Sequence, residues 1–167
     1  EQFDGPIAIR FARGVAFPEI KEDINLQYGK GQILKEGSKD GNNAGGNVAI
    51  IAVGSMVEET YKAIDMLEKE NVHPAFVNPV FIKPMDTELI KRVAENHKHI
   101  IVVEEGIKKG GFGESVETFI LESGIDADVQ VMAIDDRFVE QGNVALLREE
   151  IGISYKNIYE KVMELTR

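Results

Sequence analysis

A three-layer α/β domain with a mostly parallel sheet is what this sequence predicts, and three observations carry that prediction. Largely apolar stretches rich in β-branched residues recur at 48–53, 75–77, 100–103 and 129–134, the last broken by Gln130, and such stretches suit strands covered on both faces. Between them, apolar residues return at helical spacing. Strand and helix thus alternate repeatedly, and successive β-α-β crossovers are right-handed and place helices on both faces of a parallel sheet.

The elements follow in order. Gly5-Pro6 leads into a short apolar strand over 7–9, Arg10 and Arg13 flank Phe11 and Ala12, and 18–28 has the polar, acidic character of a linker. Gln32, Ile33 and Leu34 open a new apolar pattern, which SKDGNNAGG at 38–46 interrupts with residues suited to a solvated loop between two strands. No helix fits between this strand and the next, so the strand near Ile33 is expected to lie antiparallel at an edge. Ser55 and Glu58 form a capping-box pattern, which predicts a helix to about Asn71 with Val57, Thr60, Ala63, Ile64 and Leu67 inward. Asp86 is the predicted N-cap of a helix that buries Leu89, Ile90 and Val93.

Residues 100–103 form the predicted middle of the sheet, ended by Glu104, Glu105 and Gly106. Gly110, Gly111 and Gly113 then open a helix with Val116, Phe119 and Ile120 inward, a strand–glycine turn–helix unit whose backbone N–H groups point outward. After the strand at 129–134, Leu146, Leu147 and Ile151 mark a helix that Gly152 closes. Ser154 caps the last helix, with Ile158, Val162 and Leu165 inward.

Composition narrows the function. In 167 residues there are 29 acidic and 19 basic side chains, a formal charge of -10, and a nucleic-acid backbone or an anionic membrane surface would be repelled. The absence of cysteine excludes disulfides and thiolate metal sites and fits a reducing cytosol. No apolar run approaches membrane-spanning length, and the N-terminus lacks the form of a secretory signal. The chain starts at Glu1, within a segment patterned as structured, and is expected to be a piece of something longer.

Several constellations could carry chemistry. The glycines at 110–113 either serve packing or cradle an anion, and they match neither the G-x-G-x-x-G nor the P-loop spacing. Glu104 and Glu105 sit at the carboxyl end of the central strand, where open sheets place ligands, but adjacent strand residues face opposite ways. Capping or turn anchoring is favoured over catalysis for one of them. His73, His97 and His99 lack zinc-site spacing, and no serine sits in G-x-S-x-G. Asp136, Arg137 and Glu140, the densest charged cluster after a strand end, either recognise a ligand or partner domain or form a salt-bridged turn, the second being favoured. Arg10 and Arg13 have the side chain suited to bidentate phosphate binding.

Together, GPIAIRFARG, KGQILKEG, VAIIAVGSMV, VNPVFIKPMD, HIIVVEEGIKKGGFGE and DDRFVEQG resemble, in order and spacing, the C-terminal part of the 1-deoxy-D-xylulose-5-phosphate synthase family. These are transketolase-like, thiamin-diphosphate-dependent enzymes, and the likeness covers nearly the whole chain. N-x-x-F-I-K-P-M-D with G-G-F-G is shared with β subunits of 2-oxo acid dehydrogenases, whereas D-R-F-V-E-Q-G with R-F-A-R-G points to the synthase. The resemblance implies a transketolase C-terminal-like α/β domain over 29–167, preceded at 1–28 by the tail of a pyrimidine-binding domain plus linker. It implies the C-terminal portion of a cytoplasmic, homodimeric transferase that condenses pyruvate with glyceraldehyde 3-phosphate to 1-deoxy-D-xylulose 5-phosphate and releases CO2. That product is a precursor of isoprenoids, thiamin and pyridoxal.

In that family an arginine of R-Y-P-R-G holds the substrate phosphate. Arg13 matches it, with Arg10 as the alternative; Ala12 replaces the usual proline, and Val15 stands where asparagine is common. The resemblance implies thiamin diphosphate and Mg2+ in the full-length enzyme. The cofactor-activating glutamate, the G-D-G metal motif and the catalytic histidines have no match here. No catalytic, cofactor or metal residue is therefore expected in this chain, which alone would be inactive and would serve structure and dimerisation. Its partners would be the upstream domains of the same polypeptide and a second copy. The alternatives are the C-terminal domain of a transketolase or of a 2-oxo acid dehydrogenase β subunit, and a stand-alone α/β binding module.

Overall fold

The computed structural model describes residues 3–11, 26–37 and 45–166. A five-stranded sheet runs in the order β1-β3-β2-β4-β5, with β1 Gln32–Glu36, β2 Val48–Ala52, β3 Ala75–Asn78, β4 His99–Ile107 and β5 Asp128–Ile134. The helices are α1 Met56–Lys69, α2 Thr87–Asn96, α3 Phe112–Glu122, α4 Val144–Ile151 and α5 Tyr155–Leu165. Strands β2 to β5 are mutually parallel, with Ala52 opposite Val103 and Val103 opposite Met132. Strand β1 is antiparallel to β3 at the edge, as the short β1–β2 connection requires.

The apolar runs explain the layers. Every residue of β2 is buried, and its alternate side chains enter two cores. Val48, Ile50 and Ala52 pack with Ile101 and Val103 against α1 and α5, through Ile64, Leu67, Ile158 and Val162. Ala49 and Ile51 pack with Ile100 and Val102 against α2 and α3, through Ile90, Val93, Val116 and Ile120. Each valine, leucine or isoleucine among them contributes roughly 1.5 to 3 kcal/mol on leaving water, so the two faces together fix the sheet's register.

Helix ends also follow local chemistry. The Asp86 carboxylate accepts a hydrogen bond from Leu89 N at 3.1 Å. Ser154 and Asn157 complete a capping box on α5, and Gly152 ends α4 at φ 89°, a left-handed conformation that glycine adopts without strain. His97 ends α2 and His99 begins β4.

Four expectations are corrected. Strand β4 does not stop at Val103 but continues to Ile107 through an irregularity between those residues. Residues 3–11 form no strand, because no neighbouring strand among the described residues pairs with them. Ser55 makes no side-chain capping bond to α1; its hydroxyl is taken by Glu105. Asp136, Arg137 and Glu140 form no ion pair with one another; they lie in a fully solvated stretch, where a surface pair gains too little to offset the ordering of its side chains. The Ser38-to-Ala44 part of the expected loop and most of the expected linker lie outside the described residues.

Candidate functional site

The parallel strands β2 to β5 all end on one side, and the side chains that converge there come from distant parts of the chain. The register of β4 sets up this edge. Between Val103 and Ile107, β4 contains more residues than the facing part of β5, where Met132 and Ile134 pair with the same two positions. The bulged segment is Glu104-Glu105-Gly106, and bulges of this kind re-aim side chains at strand ends.

Glu104 turns toward α3. It is 6% exposed, and its carboxylate accepts from Phe112 N at 3.2 Å and Gly113 N at 2.7 Å. The expected capping role therefore belongs to Glu104, which places an anion at the positive end of α3. The same contacts explain the glycines. A Cβ on Gly111 would stand 2.6 Å from Glu104 Oε1, and one on Gly113 would run into the Val131 side chain. Packing, the first of the two readings of this turn, accounts for Gly111 and Gly113, whereas Gly110 has open space around it and is held instead at φ 73°, a left-handed conformation; the N–H groups of residues 110–113 are already bonded within the chain.

Glu105 turns to the opposite face. Its Oε2 accepts from Ser55 Oγ at 2.7 Å, and its Oε1 accepts from Arg148 Nε at 3.0 Å. Arg148 also reaches Glu59 at 3.4 Å. Glu59, itself buried, accepts from Tyr155 N at 2.9 Å and pairs with Lys62 at 3.0 Å. Burial pushes the Glu105 carboxyl up, but the hydrogen bonds from Arg148 and Ser55, with the charges of Arg148 and Arg10, outweigh it and hold the group below its ordinary value. One guanidinium thus joins α1, β4 and α4 at the carboxyl edge. Sequence reasoning missed Arg148 and Glu59, because the contacts that join them to each other and Arg148 to Glu105 span distant parts of the chain.

Of the two arginines singled out for phosphate, Arg13 lies outside the described residues. Arg10 is described: its Nη2 donates to the backbone oxygen of Glu105 at 3.2 Å. The segment carrying Arg10 has a second attachment. Phe3 stacks on Tyr28 with ring centroids 4.7 Å apart, and Tyr28 meets Phe81 edge-on at 5.7 Å. Phe81 follows the end of β3, and Glu105 lies near the end of β4, with β2 between them in the sheet. The N-terminal segment therefore crosses the carboxyl edge of the sheet. Among the described residues no cluster of three or more His, Asp or Glu side chains could hold a metal, and no helix is long and apolar enough to cross a membrane.

Residues 35–158 match the transketolase C-terminal domain family. The 1-deoxy-D-xylulose-5-phosphate synthase of Heliobacterium modesticaldum is 35% identical over 98% of this chain and 24% of its own length. That of Alkaliphilus oremlandii is 37% identical over 95% of this chain and likewise 24% of its own length. The chain thus spans about a quarter of the length of these curated relatives. Among solved structures, a chain described as a split gene transketolase, inactive beta4 tetramer, superposes with a TM-score of 0.74 at 28% identity, covering 86% of this chain and 44% of that one.

Proposed function

We propose, from the fact that this chain belongs to the transketolase C-terminal domain family, that it is the C-terminal portion of a thiamin-diphosphate-dependent synthase. The full enzyme condenses pyruvate with glyceraldehyde 3-phosphate to 1-deoxy-D-xylulose 5-phosphate, releases CO2 and acts in the cytoplasm as a homodimer. The observation that carries this reading is the continuity of the likeness: 95 to 98% of the chain aligns at 35 to 37% identity with synthases four times its length. In this assignment, residues 1–28 end the preceding domain, and 29–167 form the C-terminal domain. Arg13 recognises the substrate phosphate, with Arg10 as the alternative.

The cofactor belongs elsewhere in that enzyme. A diphosphate with its metal needs oxygen ligands on the cation and amides or cations on the phosphates. Among the described residues, the glycine-rich helix start already spends Phe112 N and Gly113 N on Glu104, so these residues do not fit the group. The chain's contribution is instead a rigid edge and an apolar surface. Ile107, Phe138, Val144 and Leu146 stand exposed on β4, α4 and the loop after β5, which supports contact with the remaining domains and a second copy.

Titration calorimetry of this chain with thiamin diphosphate and Mg2+ at millimolar concentrations is expected to show no saturable heat. Saturable binding at micromolar affinity would contradict the placement of the cofactor site outside these residues.

A further inference from the structure

Arg10 is the alternative phosphate ligand of the reading above, and its surroundings argue for a different task. Its Nη2 donates to the Glu105 backbone oxygen at 3.2 Å. The carboxylate of the same residue is anchored by Ser55 Oγ at 2.7 Å and by Arg148 Nε at 3.0 Å. A phosphate dianion brought to Arg10 would meet that carboxylate, whose charge opposes it. The attachment is reinforced at the far end of the segment, where Phe3 and Tyr28 stack and Tyr28 meets Phe81.

We infer that Arg10 and Glu105 form a clasp that seats the N-terminal segment on the carboxyl edge of the sheet, making both of them positioning residues for substrate-phosphate recognition. Glu105 acts at two ends. Its backbone oxygen receives the segment, and its carboxylate is tied to α1 through Ser55 and to α4 through Arg148. Arg10 is spent on this attachment, and the phosphate is left to another cation. The clasp rests on the synthase reading, in which Arg13, three residues further along the chain, is that cation.

The two roles of Arg10 predict opposite signs for one substitution in the full-length enzyme. If Arg10 held the phosphate, Glu105→Ala would remove a neighbouring negative charge and lower the Michaelis constant for glyceraldehyde 3-phosphate. If the clasp is correct, Glu105→Ala keeps the backbone oxygen that accepts from Arg10 but cuts the side chain's ties to Ser55 and Arg148, which loosens the seat of the segment and raises that constant roughly two- to thirtyfold, the span of coupling carried through positioning contacts, with pyruvate changed less than about twofold. Arg10→Ala, which removes the donor itself, gives a rise at least as large, and adding Glu105→Ala to it changes little, because the anchoring of the acceptor matters only while Arg10 holds it. Ser55→Ala, which leaves the charge of Glu105 in place, gives a smaller rise in the same direction and serves if Glu105→Ala fails to fold. A fall or no change in the Michaelis constant for glyceraldehyde 3-phosphate in the folded variants overturns the clasp. Arg13→Ala, measured beside them, separates the two ideas: if it affects both substrates equally, the phosphate reading fails, whereas a selective effect of Arg13→Ala with no effect of Glu105→Ala or Ser55→Ala removes the clasp alone.

Discussion

Glu104→Ala is expected to lower the stability of this chain by about 2 to 6 kcal/mol, because two backbone donors would lose their acceptor in a buried place at about 1 to 3 kcal/mol each. Glu104 is 6% exposed, so water cannot readily replace its bonds to Phe112 N and Gly113 N. The start of α3 would also lose the anion that faces its positive end. Glu104→Gln offers one good acceptor oxygen and turns an amide donor toward the other N–H, so its cost falls between alanine and wild type. Glu114 is the control: it too accepts from a backbone N–H, that of Gly110, but it is exposed, and Glu114→Ala should cost less than about 1 kcal/mol. Urea unfolding followed by circular dichroism measures the series. A Glu104→Ala midpoint indistinguishable from that of Glu114→Ala would show that the carboxylate does not hold the turn.

The second large effect is on substrate selection. In the full-length enzyme, Arg13→Ala is expected to raise the Michaelis constant for glyceraldehyde 3-phosphate roughly ten- to hundredfold, while that for pyruvate changes little. Only the first substrate carries a phosphate dianion, and a charge-assisted contact to it is worth about 1.5 to 3 kcal/mol. Equal loss for both substrates would rule out Arg13 as the phosphate ligand. Arg13→Lys should recover part of the affinity, since an ammonium supplies the charge without the bidentate fork.

Much of the fold was legible because its signals are local. Strands buried on both faces write themselves as β-branched runs, as in Val48, Ala49, Ile50, Ile51 and Ala52, all buried. Asp86 and Ser154 cap helices that start within three residues of them, so short-range pattern suffices. The edge position of β1 followed from the absence of a helix in its connection to β2. The site was legible only in part, because its contacts are not local. Ser55 carries a capping pattern with Glu58, yet its hydroxyl bonds to Glu105, fifty positions away. Arg148 looked like one charge on a short amphipathic helix, and nothing near it in sequence announces that it joins Glu59 and Glu105, 89 and 43 positions away. That Glu104 and Glu105 would diverge followed from strand alternation. Which neighbour each would find depended on the bulge in β4, and a bulge leaves no pattern in one strand read alone.

The synthase reading stands on one measurement more directly than any other: product formation by the full-length enzyme. With thiamin diphosphate and Mg2+ present, pyruvate and glyceraldehyde 3-phosphate should give one CO2 for each 1-deoxy-D-xylulose 5-phosphate formed, followed together by gas evolution and mass spectrometry, and omission of either substrate should abolish the product. Turnover of ketose phosphates without any requirement for pyruvate, or pyruvate decarboxylation that yields no 1-deoxy-D-xylulose 5-phosphate when glyceraldehyde 3-phosphate is supplied, would contradict it.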